Sequence, residues 1–191
     1  MIVVGIGPGN LKYASVEAIS MIKEAECVVA FTRVAEDIKG LNKVTVINSI
    51  EEVLKYRDAC LVVSGDPLLY SITEVLIKNG VEIQRIVPSI SSFQYMMARL
   101  GKAWSNANII SFHGRDFDGT RINPRGINVI FTDRKNTPSV ISKKLFEYGF
   151  KGFLYIGYNL SYDNEVILKK RIGETVEDIS ELALVVMEGC G

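Results

Sequence analysis

The sequence predicts an α/β protein built as two α/β domains, and three observations lead there. Short β-branched runs alternate with stretches of helical period through residues 1–100, the pattern of βαβ units on a parallel sheet. The texture then breaks at residues 101–108, which are small and polar with no clear period, as a linker between domains should be. Beyond the break, strand-like runs dominate and one convincing helix remains, which suggests a second α/β layer with a mixed sheet.

In the first domain, taken as residues 1–104, apolar runs at residues 2–4, 27–31, 44–47, 59–63 and 82–87 read as strands. Residues 11–23, 50–55, 70–78 and 90–100 read as the helices between them. In the first helix Tyr13, Val16, Ala18, Ile19 and Ile22 share a face, while Lys12, Glu17, Lys23 and Glu24 fall largely elsewhere, so it should pack on a sheet. In the second domain, residues 105–191, the strand-like runs are 108–112, 127–132, 153–157, 165–169 and 183–188. A helix over residues 137–148 has Thr137 as its cap and Gly149 just past its end. Pro138 suits its first position, where a missing N–H loses no useful hydrogen bond.

Composition excludes several classes of function. Lys plus Arg number 22 and Asp plus Glu 22, with no block of like charge, so the footprint of a nucleic-acid binder is missing. At 48% hydrophobic residues the chain can fill a core without staples. Cys27, Cys60 and Cys190 are odd in number, and the first two sit in apolar runs where a thiol behaves as a small hydrophobe, so a reducing cytoplasm is expected. Met1 leads directly into a strand with no basic segment before it, and no apolar run approaches the roughly 18 residues of a membrane span. Neither export nor a membrane is expected.

Four motifs carry the chemistry. Gly5-Ile6-Gly7-Pro8-Gly9-Asn10 follows a strand and precedes a helix, the place of a dinucleotide fingerprint. Three details oppose that reading: Asn10 replaces the third glycine, Pro8 has no N–H for a phosphate, and Thr32-Arg33 stand where a ribose-binding acid would end the second strand. What survives is a turn that lets backbone approach a ligand. Ser64-Gly65-Asp66-Pro67-Leu68-Leu69-Tyr70 follows the fourth strand, and Asp66 is placed to cap the next helix or to bond a ligand. Pro88-Ser89-Ile90-Ser91-Ser92 repeats the arrangement after the fifth strand. Each turn alone is ordinary, but three of them after the first, fourth and fifth strands would line one edge of one sheet, which favours a ligand site. His113, the single histidine, and Arg115 follow the sixth strand in Ser111-Phe112-His113-Gly114-Arg115-Asp116, placed to bind an anionic substrate, with Arg115 gripping a carboxylate. No cysteine lies at a ligand spacing from His113, so no metal is expected, and there is neither a Walker A loop nor a Gly-x-Ser-x-Gly elbow.

Taken together, Gly5-Ile6-Gly7-Pro8-Gly9, Gly65-Asp66-Pro67 and Pro88-Ser89-Ile90-Ser91-Ser92 resemble, in order and over nearly the whole chain, the tetrapyrrole methylase family. The stretches Ser111 to Arg115, Phe131-Thr132-Asp133 with Thr137-Pro138, and Asn159 to Glu165 are most similar to the branch that methylates C5 of precorrin-7 or cobalt-precorrin-7 in cobalamin biosynthesis. The resemblance implies two α/β domains with S-adenosylmethionine folded in the cleft between them. It implies cofactor contacts at Pro8, Gly65, Asp66, Leu69, Ser91 and Ser92, with Thr132, Asp133 and Leu160 from the second domain; the substrate contacts at His113 and Arg115 rest on the reading of those residues themselves. It also implies a homodimer acting on a tetrapyrrole, while the charge balance and the lack of a long apolar run lead us to expect no nucleic-acid or membrane partner. Larger relatives carry a second domain for C15 methylation and decarboxylation, so a separate protein is expected to perform that step. Some relatives have an Asp proposed as a base after the second strand; Thr32 stands here, so no catalytic base is assigned. Other readings are diphthine synthase or a ribosomal RNA methylase on the same fold, a different precorrin methylase, a non-catalytic cofactor-binding module, and a dinucleotide dehydrogenase.

Overall fold

The computed structural model describes residues 1–112 and 114–190. The chain forms two compact units, Met1–Ser92 and Phe93–Gly191. The first unit runs β1 (Ile2–Gly5), α1 (Val16–Glu24), β2 (Val28–Phe31), α2 (Thr32–Asp37), β3 (Val44–Ile47), α3 (Ile50–Val53), β4 (Cys60–Val63), α4 (Thr73–Lys78) and β5 (Arg85–Val87). Its strands form one parallel sheet in the order β3-β2-β4-β1-β5. Both faces are covered, as a parallel sheet requires. Val4, Ala30 and Val62 pack with Ile22 of α1 on one side, and Val3, Val29 and Leu61 pack with Leu76 of α4 on the other. Each valine, leucine and isoleucine among them contributes roughly 1.5–3 kcal/mol on full burial.

Several helices depart from expectation at their first turns. Residues 11–23 do not form one helix: a 3₁₀ turn at Leu11–Tyr13 precedes α1, because Ser15 takes extended backbone and its hydroxyl accepts from the Ala18 N–H at 3.0 Å. Ala18 and Ile22 are buried, but Val16 is 84% exposed and leaves the expected face. α2 was not expected; it follows β2 without a loop. Cys60 is buried, and burial, with Cys27 nearby, pushes its thiol up to about 11. Cys27 is exposed, contrary to its apolar setting in sequence.

The second unit contains α5 (Ser92–Leu100) from Phe93 onward, β6 (Asn108–Ser111), β7 (Ile127–Phe131), α6 (Pro138–Glu147), β8 (Gly152–Tyr158), β9 (Val166–Arg171) and β10 (Ala183–Gly189). The sheet order is β6-β7-β10-β8-β9, parallel between β6 and β7 and antiparallel elsewhere, the mixed sheet expected. Ile141 and Leu145 of α6 pack on Ile110, Ile130, Leu154, Ile156 and Val185. Thr137 caps α6 by accepting from the Val140 N–H, and Pro138 opens it. The division between units falls after Ser92, whereas the boundary expected at residues 104 and 105 lies beyond α5. Side chains of α5 pack in the second unit: Met96 lies against Gly157, and Arg99 pairs with Glu165 at 3.0 Å. Among the described residues no helix is long and apolar enough to cross a membrane.

Candidate functional site

A parallel sheet places the loops that follow its strands along one edge. β1 lies between β4 and β5, so the turns after the first, fourth and fifth strands are neighbours on that edge. The first two are stitched together: Gly7 and Gly65 form an isolated antiparallel bridge in which the Gly65 N–H donates to the Gly7 carbonyl at 2.6 Å. Both glycines have left-handed backbone, φ +80 and +69, which other residues resist. A side chain on Gly65 would meet only Ser91 Cα, at 3.8 Å, so the turn is open beside the third loop. Pro8 and Ser91 are buried, Ser92 begins α5, and Leu69 is half-buried.

Asp66 shapes its own turn. Its Oδ1 accepts from the Leu68 N–H at 2.7 Å and its carbonyl accepts from the Leu69 N–H at 3.2 Å. It caps no helix, because α4 begins only at Thr73 and has no side-chain cap. Ser89 was not among the expected contact residues. Its hydroxyl is buried with no hydrogen-bond partner among the described residues, 3.3 Å from where a Gly7 Cβ would stand. Such an unmatched group costs about 1–3 kcal/mol. The only signal in sequence was one more hydroxyl in a Ser-rich turn.

In the second unit the register brings another set of loops to one edge, since Ser111 pairs with Phe131, Phe131 with Leu184, and Tyr158 with Ala183. The loops after β6, β7 and β8 therefore leave together. The first two are clamped by Asn136, which is buried and donates through Nδ2 to the carbonyls of Phe112 at 3.0 Å and Arg115 at 2.9 Å. Asn136 was missed, because an Asn before Thr-Pro reads as an ordinary turn residue. Asp133 completes the clamp, accepting from the N–H groups of Gly114, Lys135 and Asn136 at 2.7, 2.9 and 2.6 Å. Burial pushes its pKa up, but these N–H donors outweigh it and hold the carboxyl below its ordinary value. Thr132 donates its hydroxyl to the Ala183 carbonyl at 2.7 Å. The side-chain oxygens of Thr132 and Asp133 thus both serve their own unit. Both residues line a cavity of about 340 Å³ with Arg134, Thr137 and Asp178. Arg115 is exposed on the clamped loop. His113 lies outside the described residues.

Leu160 follows β8 and is buried at 5% exposure between Asn159 and Ser161, both left-handed. Their conformation is held locally, by the Ser180 hydroxyl donating to Asn159 Oδ1 at 2.7 Å and the Ser161 N–H donating to Glu165 Oε2 at 2.7 Å. Glu165 is pushed up by burial but held below its ordinary value by hydrogen bonds from Tyr95, Ser161 and Arg99. Among the described residues no group of three or more His, Cys, Asp or Glu is arranged to hold a metal ion.

Adjacent glycine turns at the carboxyl edge of a parallel sheet, beside open space, are the setting in which α/β proteins bind small ligands against backbone. The pattern of the tetrapyrrole (corrin/porphyrin) methylases matches residues 1–176, and the chain belongs to that family. It is 28% identical to the probable cobalt-precorrin-7 C(5)-methyltransferase of Methanocaldococcus jannaschii, over 98% of this chain and 97% of that protein. It is 30% identical to the cobalt-precorrin-7 C(5)-methyltransferase of Salmonella typhimurium, over 97% and 98%. Among solved structures, the uroporphyrin-III C-methyl transferase of Thermus thermophilus complexed with S-adenyl homocysteine is similar in fold, with a TM-score of 0.77 at 19% identity over 98% of this chain and 91% of that one. The chain is a methyltransferase, as its motifs implied.

Proposed function

We propose that this chain transfers the methyl group of S-adenosylmethionine to C5 of cobalt-precorrin-7 or its metal-free form, acting in the cytoplasm as a homodimer. The observation that carries the reading is the adjacency of the three turns on β4, β1 and β5. The choice of C5 is supported by the end-to-end similarity to two proteins that bear that activity in their names.

The residues of the first unit fit the donor. Left-handed Gly7 and Gly65 let backbone approach it, Gly65 opens beside Ser91, and Asp66 commits only Oδ1 to its turn, leaving Oδ2 for a ligand donor. Pro8, Leu69 and Ser92 complete this set. Thr132 and Asp133 contribute through main chain, since their side-chain oxygens are engaged at home, and Leu160 contributes apolar surface. S-adenosylmethionine, when bound, supplies a methyl group already activated by a sulfonium. An electron-rich ring carbon attacking in line then needs alignment more than a strong acid or base, and the chain provides alignment. Arg115, exposed and with its carbonyl held by Asn136, binds carboxylates of the macrocycle together with His113.

A methyl-transfer assay on cobalt-precorrin-7 and its metal-free form, with the product read by NMR, should show the new methyl on C5. Transfer to another ring carbon overturns the proposal. Arg115→Ala should raise KM for the tetrapyrrole about tenfold with S-adenosylhomocysteine affinity unchanged, and an unchanged KM removes Arg115 from the substrate site.

A further inference from the structure

Among the described residues only three other than glycine have left-handed backbone: Tyr70 (φ 49), Asn159 (φ 47) and Ser161 (φ 76). Asn takes this conformation readily, and Ser161 is held there by Glu165. Tyr is not such a residue type, and left-handed backbone in a bulky residue gathers at functional sites. Tyr70 ends the turn shaped by Asp66, and its side chain is 52% exposed. Leu68 in the same turn is 68% exposed, and Ile90 in the adjoining turn 37%. These turns touch, with Ser91 Cα 3.8 Å from where a Gly65 Cβ would stand. Residues 67–73 and 88–92 carry no charged side chain in a chain that is 23% charged. An apolar lip therefore borders the turns assigned to the methyl donor, where a water-facing edge would ordinarily be polar.

We propose that Leu68, Tyr70 and Ile90 form the surface on which the face of the tetrapyrrole lies, with Tyr70 as a positioning residue for the macrocycle. The proposal rests on the methyltransferase reading above. A tetrapyrrole is a broad apolar ring with carboxylates at its rim, so it needs two kinds of contact. Cations such as Arg115 suit the rim; exposed aromatic and aliphatic side chains suit the face. The lip supplies the second kind beside the donor, where the accepting carbon has to be.

The test measures two ligands separately on Tyr70→Ala, Leu68→Ser and Tyr70→Phe. Binding of cobalt-precorrin-7 is followed by its absorbance without donor, and S-adenosylhomocysteine binding by calorimetry. Tyr70→Ala and Leu68→Ser should each weaken tetrapyrrole binding about tenfold while S-adenosylhomocysteine affinity stays within about twofold, and Tyr70→Phe should bind both as the parent does. Parent-like tetrapyrrole affinity in both Tyr70→Ala and Leu68→Ser overturns the lip. So does an equal loss of both ligands, which would assign these side chains to the donor instead. If Tyr70→Ala melts early, Leu68→Ser and Ile90→Ser, both at exposed positions, decide the matter. An unaltered chain that binds no S-adenosylhomocysteine overturns the methyltransferase reading, a separate outcome.

Discussion

Gly5→Ala isolates the packing that holds the Gly65-Asp66 turn against β1. A Cβ at Gly5 would stand 2.6 Å from the Gly65 carbonyl oxygen and 2.7 Å from Pro67 Cδ. An ordinary carbon–oxygen contact is about 3.3 Å, so the carbonyl has to retreat by roughly 0.7 Å. It cannot do so alone, because the Gly65 N–H is bonded to the Gly7 carbonyl and Pro67 is a stiff ring. Overpacking of this kind costs about 1–3 kcal/mol. At roughly 2–4 °C per kcal/mol for a chain of this size, the melting temperature should fall by about 2–12 °C. The same retreat displaces the Gly65-Asp66 turn proposed to hold the methyl donor, and S-adenosylhomocysteine should bind at least about tenfold more weakly, or about 1.4 kcal/mol. The assay is a thermal melt beside a calorimetric titration, with Gly40→Ala as the control. Gly40 is left-handed at φ +91 with nothing within 4 Å of an added Cβ, so it carries only backbone strain of about 1–2 kcal/mol and should leave affinity unchanged. Parent-like melting and affinity in Gly5→Ala would refute the reasoning.

Two further outcomes follow from the second unit. Gly157→Ala would bring a Cβ to 2.6 Å from Leu160 Cδ2 and 3.0 Å from Met96 Sδ, so a loss of about 1–3 kcal/mol is expected in urea unfolding, against about 1–2 kcal/mol for Gly149→Ala, where only left-handed strain applies. Asp133, Glu165 and Asp178 are each pushed up by burial but held below their ordinary values by hydrogen bonds. A folded pKa below the unfolded one, about 4, gives stability that is fully present above that value and lost as pH falls through the folded values. Urea midpoints should therefore drop below about pH 4, and Asp178→Asn, which keeps an oxygen for the Ser139 N–H but removes the titrating charge and the second oxygen that accepts the Ser139 hydroxyl at 2.6 Å, should flatten that drop. An unaltered acid limb in that variant would count against the assignment.

The strands were legible because a β-branched run in a parallel sheet is apolar on both faces, as at Cys60–Val63, where every residue is buried. Helix starts were less legible, since they depend on which hydroxyl wins the first N–H. Ser15 won it for α1, and Val16 was turned out to solvent. The α2 helix hid because Thr32 and Arg33, read as the end of a strand, begin a helix with no side-chain cap to mark it.

The candidate site was legible as a set of turns and illegible as a surface. The turns at Gly7, Gly65 and Ser91 can be named from residue type, but their adjacency is a property of strand order, which inserts β1 between β4 and β5. Asn136 shows the same limit from the other side: its amide joins two loops whose carbonyl acceptors, on Phe112 and Arg115, lie 24 and 21 residues away, and no local pattern marks a bond of that span. Tyr70 is the opposite case. In sequence it is only the last residue of a turn and the first of an expected helix, and the left-handed backbone and the exposure reveal that the chain holds its ring out toward solvent at a cost. A residue whose local preference is overridden needs a reason elsewhere, and the proposed tetrapyrrole surface would supply one.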